Sequence, residues 1–163
     1  MAFRRGTRLG VDVGTVRIGL ARTDPEAIMT FPLETLHRAD DGSEFERLIS
    51  LVEEYDVMEI IVGLPRHLAG GEGISAKGAR RYARRIKKSL PHIRVAFVDE
   101  RLTSHQAHQR LRAAGRCERS HREIVDQVAA QIILEHALEI ERMSGNPPGD
   151  VLESPEQKGK GTL

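Results

Sequence analysis

Tryptophan is absent from the 163 residues, aromatic side chains make up only 4%, and a single cysteine, Cys117, stands in a basic segment. One cysteine excludes an intramolecular disulfide and any CxxC metal site, which fits a reducing compartment, and it reads as an incidental thiol. So few aromatics argue against a platform on which single-stranded bases stack. No apolar run approaches membrane-spanning length, and the N-terminus lacks the apolar stretch of a signal peptide. A cytoplasmic protein with no membrane partner is expected. Neither a GxxxxGK[ST] phosphate loop nor an internal repeat occurs.

What is present is one domain's worth of chain, enough for a single core and too little for two large lobes. That length argues against reading Asp12-Val-Gly-Thr15 as the phosphate loop of a two-lobed, actin-like ATPase. The net charge of +1 hides an asymmetry: between Ala76 and Arg122 fourteen Lys and Arg stand against Asp99, Glu100 and Glu118. Such a block is the footprint of polyanion binding, or else a solvated helix face.

Hydrophobic periodicity organises the rest. Residues 8–13 and 17–23 read as an antiparallel hairpin around Gly14-Thr15, and 30–36 as a third strand. Ser43 is placed to cap an amphipathic helix that buries Phe45, Leu48, Ile49 and Val52. A short strand at 59–63 ends at Gly63-Leu64-Pro65. The helix over 75–90 buries Ala79, Tyr82, Ala83, Ile86 and Leu90, and turns Lys77, Arg80, Arg81, Arg84 and Lys88 outward. A last strand covers 93–98. Thr103 and Gln106 have the spacing of a capping box, and a final helix spans 121–143. The pattern predicts an α/β domain over 1–143, a five-stranded mixed sheet whose first three strands are antiparallel, flanked by helices. Residues 144–163, polar and rich in Gly, Pro and Lys, are expected to form a disordered tail.

Three places carry a carboxylate where an isolated charge is costly. Asp12 sits inside an apolar strand. Asp99 and Glu100 end another, and because strand neighbours point to opposite faces only one of them is expected to share a site with Asp12. Asp126 lies on the apolar stripe of Ala129, Ala130, Ile133, Ala137 and Ile140. Each has a plainer alternative: turn amides for Asp12, pairing with Arg94 or Arg101 for the second pair, and the first turn of a helix for Asp126. Converging carboxylates without Cys suit hard cations, Mg2+ or Mn2+, and two such ions support phosphodiester hydrolysis.

The segments Gly10-Val-Asp-Val-Gly-Thr-Val-Arg-Ile-Gly-Leu-Ala21, Val62-Gly-Leu-Pro65, Val98-Asp-Glu-Arg-Leu-Thr103 and Asp126-Gln-Val-Ala-Ala130 together resemble the signature blocks of the YqgF/RuvX family of Holliday-junction resolvases. The resemblance covers nearly everything from Leu9 to Ile140. It implies a ribonuclease H-like fold, a magnesium-dependent nuclease, and metal ligation by Asp12, Glu100 and Asp126, with Asp99 the less certain neighbour. Members are associated with branched-DNA cleavage and with trimming of precursor small-subunit ribosomal RNA, so either nucleic acid is an expected partner. A resolvase cuts two symmetric strands, for which a homodimer is expected. One departure is the run Arg66-His67-Leu68-Ala69, where the family often carries a leucine-asparagine-methionine-aspartate-like sequence.

Substrate contacts are expected from Arg17, Arg101 and Thr103 beside the scissile bond, from Arg80, Arg81, Arg84 and Lys88 along the basic helix, and from Arg66 and His67 in the glycine-rich loop 64–73. Their alternatives are an Arg17–Asp24 pair across the hairpin, an Arg101–Asp99 pair, and a helix cap at Thr103. A non-catalytic nucleic-acid-binding assembly factor on the same fold is the competing function.

Overall fold

The computed structural model describes residues 3–65, 73–100, 106–107, 109–111 and 118–153. Its strands are β1 (Arg8–Val13), β2 (Arg17–Thr23), β3 (Thr30–His37), β4 (Glu59–Leu64), β5 (Arg94–Asp99) and β6 (Asp150–Leu152), ordered β3-β2-β1-β4-β5-β6 in one sheet. The first three pair antiparallel, and β1, β4 and β5 run parallel. The sheet is mixed, as the periodicity predicts, but it has six strands instead of five. The sixth lies in the expected tail, where Asp150–Leu152 pairs antiparallel with β5. Three residues are too few to show an alternation, and the strand exists because β5 supplies its ladder. Gly149, at φ +80°, makes the turn into it, with the carbonyl of Phe97 where a side chain would stand.

Three helices, α1 (Ser43–Glu54), α2 (Ile74–Ser89) and α3 (Glu118–Ser144), cover the sheet, and residues 106–107 and 109–111 are also helical. Strand alternation sorts the two layers. Leu9, Val11, Ile60, Val62, Val95 and Phe97 face α1 and α2, whereas Ala21, Ile61, Ala96 and Val98 face α3. A second stripe of α3, Val125, Val128, Ala129 and Ile132, packs on Ala107 and Leu111. Pro32, lacking an N–H, is tolerated because β3 is an edge strand.

The expected cap at Ser43 is replaced. Gly42 is the N-cap, in the left-handed region at φ +74°, and Asp41 accepts the Ser43 amide. At the end of the sheet where β1, β4 and β5 begin, Arg4, Arg8 and Arg94 surround Glu59 and Glu141, with Arg8, Glu59 and Glu141 almost wholly buried. The network ties the N-terminal arm and the end of α3 to the strand starts.

Candidate active site

Asp12 is the last but one residue of β1, and the strand's alternation turns it toward α3 with Gly10. Its sheet neighbours are both glycines. In register it stands opposite Gly19 of β2, and continuing the pairing of Val11 with Val62 places Gly63 of β4 on its other side. A Cβ on Gly19 would collide with the backbone of Asp126, and one on Gly63 would collide with the carboxylate of Glu100. Each missing side chain makes room for one acid, so Asp126 reaches Asp12 from above and Glu100 from the side. Gly10 continues the groove, its Cβ position lying 2.6 Å from the carbonyl of Ala130.

The choice between Asp99 and Glu100 resolves by alternation. Glu100 falls on the α3 face with Ala96 and Val98, while Asp99 falls on the other with Phe97. The carboxyl groups of Asp12 and Glu100 are hydrogen-bonded to each other, and both titrate above the ordinary carboxylate range. For each the leading cause is burial, which disfavours the charged form; the Asp12 charge adds to it at Glu100, and the Asp126 charge at Asp12. The bond raises Glu100 and lowers Asp12, so a protonated Glu100 donates to an Asp12 carboxylate.

Asp126 is engaged differently. Arg17, the first residue of β2, donates through Nε to its Oδ2 at 2.7 Å, with both side chains partly buried. The pairing of Arg17 with Asp24 is therefore not formed. Asp24 instead accepts the amides of Glu26, Ile28 and Met29 in its own turn. Arg94 likewise bonds Glu59 at the opposite end of the strand instead of Asp99 or Glu100. Among the described residues no three His, Cys, Asp or Glu side chains close into a metal-holding group. Two of the three acids bond each other and the third bonds Arg17.

The basic helix lies elsewhere. α2 packs on the face of the sheet opposite α3, so its exposed Arg81, Arg84 and Lys88 do not surround the carboxylates. Arg80 does not turn outward; it is half-buried with its guanidinium 5.0 Å from the ring centre of Phe97. Arg66, His67, Arg101 and Thr103, with the loop 66–72, lie outside the described residues. What sequence reasoning missed is the role of Gly19 and Gly63, whose signal was glycine inside an otherwise apolar strand. It also missed Arg38, which donates to the carbonyl of Gly14 at 3.0 Å and steadies the β1–β2 turn beside Asp12.

Residues 6–140 match the family model described as "RuvX: Holliday junction resolvase". The chain belongs to the RuvX family. Among RuvX relatives, a Streptomyces coelicolor protein named "Putative pre-16S rRNA nuclease" is 48% identical over 151 residues, 93% of this chain and 90% of its own length. A protein of the same name from Mycobacteroides abscessus is 48% identical over 143 residues, 87% and 86% of the two chains. Thermus thermophilus RuvC, solved with a Holliday junction substrate, superimposes with a TM-score of 0.57 at 15% identity, over 90% of this chain and 99% of that one. A second structure of that protein gives 0.52 at 16% identity. At such identity the likeness is one of fold, an α/β architecture with a mixed sheet flanked by helices. Among the described residues no helix is long and apolar enough to cross a membrane.

Proposed function

We propose that this RuvX protein is a divalent-metal-dependent endonuclease that cleaves phosphodiesters in structured nucleic acid, either Holliday-junction DNA or precursor small-subunit ribosomal RNA. The observation that carries it is the approach of Glu100 and Asp126 to Asp12 over the side-chain-free positions of Gly63 and Gly19, with Asp12 and Glu100 both pushed above the ordinary carboxylate range by burial. Three acids placed this closely are stabilised by positive charge, and their hard oxygen donors fit Mg2+ or Mn2+. When bound, such a cation supplies Lewis acidity toward the phosphate and makes water a better nucleophile. In this reading Asp12, Glu100 and Asp126 are the ligands. Asp99, on the other face, contributes charge only. Arg17 holds Asp126 in orientation and offers its remaining N–H groups to a phosphate. The relatives named as pre-16S rRNA nucleases support the ribosomal substrate, and the family description supports the junction. The nuclease unit is the sheet through β6, so it extends past residue 143 to Leu152.

A second reading, a non-catalytic assembly factor on the same fold, draws on the ion pair that engages Asp126. One experiment separates the two. Purified protein is given junction DNA and precursor ribosomal RNA side by side with Mg2+, Mn2+ or EDTA, and the cut phosphodiesters are mapped. Metal-dependent cleavage is expected, nearly abolished in Asp12→Asn with nucleic-acid affinity retained. Equal turnover by wild type and Asp12→Asn would overturn the site, and binding without cleavage in any metal would favour the assembly factor.

A further inference from the structure

The row of the sheet that holds Asp12 continues through Gly19 of β2 to Thr35 of β3, and the next row on that face, toward the β1–β2 turn, pairs Arg17 with His37. Strand alternation puts Thr35 and His37 on the α3 side together with Asp12, Gly19 and Arg17. The contacts with α3 agree. Thr35 donates its hydroxyl to the carbonyl of Glu123 at 2.6 Å, and Gln127 donates to Thr35 Oγ1 at 3.1 Å. His37 Nε2 lies 2.7 Å from Oε1 of Glu123. Arg17 and His37 thus stand side by side, one strand's width or about 5 Å apart, and reach two acids a turn apart on α3, Asp126 and Glu123.

The second pair is the more open to solvent. The side chains of His37 and Glu123 are 61% and 55% exposed, against 27% and 19% for Arg17 and Asp126. Its hydrogen bond sets the roles of the two ring nitrogens. A carboxylate only accepts, so the imidazole donates through Nε2, and in the neutral ring Nδ1 is left as an acceptor. Among the described residues Nδ1 has no partner. Phosphate diester oxygens carry no proton and cannot supply one. A ribose 2′-hydroxyl can, and it is the group by which a protein tells RNA from DNA. With a phosphate held by Arg17, the donor one strand's width away is the sugar of the same backbone.

We infer that His37 is a specificity residue: its Nδ1 accepts the 2′-hydroxyl of a ribose next to the phosphate at Arg17, Glu123 fixes the ring, and the site thereby favours an RNA strand over the same strand in DNA. The inference rests on the reading that nucleic acid meets the carboxylates, and it chooses between the two substrates named there. An exposed pair of this kind contributes little to stability, so its role is read in binding and not in folding.

The test uses the full chain and a fragment of precursor small-subunit ribosomal RNA in which a single 2′-deoxyribose is walked along the strand, with binding measured in Ca2+. In wild type one position should weaken binding about fivefold, the net worth of one hydrogen bond. His37→Gln keeps a donor for Glu123 but puts no acceptor at the Nδ1 position. It should bind the all-ribose fragment about fivefold more weakly and lose the penalty at that one position, with thermal stability unchanged. Asp12→Asn should keep the penalty. The absence of a sensitive position in wild type, or an undiminished penalty in His37→Gln, would overturn the proposal. So would nitrogen NMR showing a proton on both ring nitrogens in the complex, which would make a phosphate the partner. Metal-dependent cleavage without a position that depends on His37 would refute this inference and leave the nuclease reading standing. A position that depends on His37, without cleavage in any metal, would uphold the ribose contact and refute the nuclease reading.

Discussion

Two carboxyl groups that share a proton are a charge problem solved without a countercharge, and the Asp12–Glu100 pair keeps that proton above the usual carboxylate range because burial disfavours ionisation. The folded state thus binds a proton that the unfolded chain gives up near the ordinary carboxylate pKa. Stability from this source is complete below that pKa and is lost as pH rises through the raised values. In EDTA, then, thermal stability should fall as pH climbs from the mildly acidic range past neutrality. Glu100→Gln, which keeps a donor for Asp12 but has no proton to lose, should flatten that fall. It should also raise stability in mildly alkaline buffer by on the order of 1 kcal/mol, or about 2–4 °C in Tm for a chain of this size, while removing cleavage. A variant whose pH profile parallels wild type would show that the two carboxyls do not share a proton. The sequence made the acids conspicuous but not their partners: Arg17 looked as suited to Asp24, just past the end of its own strand, as to Asp126, 109 positions away. Only the tertiary fold decides between such pairs.

At the scale of elements, the site depends on how closely α3 lies on the sheet, and that closeness is set by glycines. Gly19→Ala should force the Asp126 turn of α3 outward, because backbone occupies the new Cβ position. A cost of roughly 1–3 kcal/mol, typical of overpacking, is expected in urea unfolding, together with loss of cleavage. Gly78 of α2 is the control, since a Cβ there meets nothing within 4 Å. Gly78→Ala should stabilise by roughly 0.5–1 kcal/mol, the helix-propensity difference, with activity intact. If Gly19→Ala proved as harmless as Gly78→Ala, the assembly of the site through close packing would be wrong. The strands and helices themselves were legible, with β1 and β2 matching to the residue, because each carries an unbroken period of two or 3.6 over several residues. The two misread places lack such a period. β6 is three residues among Pro, Gly and Asp, and the start of α1 depends on the left-handed backbone of Gly42, where a serine beside it offered the more familiar cap.

For the whole molecule, a polyanion must meet a protein whose site acids and basic helix α2 occupy opposite faces of the sheet. α2 follows the carboxyl end of β4, so its first turns lie at the end of the sheet that carries Asp12, and its last turn lies at the far end beside the start of β5. Arg81, Arg84 and Lys88 are exposed along it, and Lys88 is about 21 Å from Ile74 at 1.5 Å per residue. A duplex bound at the carboxylates can curl over that end of the sheet and meet the first turns of α2 before the last. The contributions should therefore be graded. Measured as binding in Ca2+ against salt, Arg81→Ala should lower the log–log slope by about 0.7–0.9, one phosphate contact, whereas Lys88→Ala should leave affinity and slope at wild-type values. An equal drop at Arg81, Arg84 and Lys88 would lay the nucleic acid along the whole helix and away from the acids. No drop at any of the three would make the basic face of α2 a solvated surface, leaving phosphate contacts to Arg17 and its surroundings.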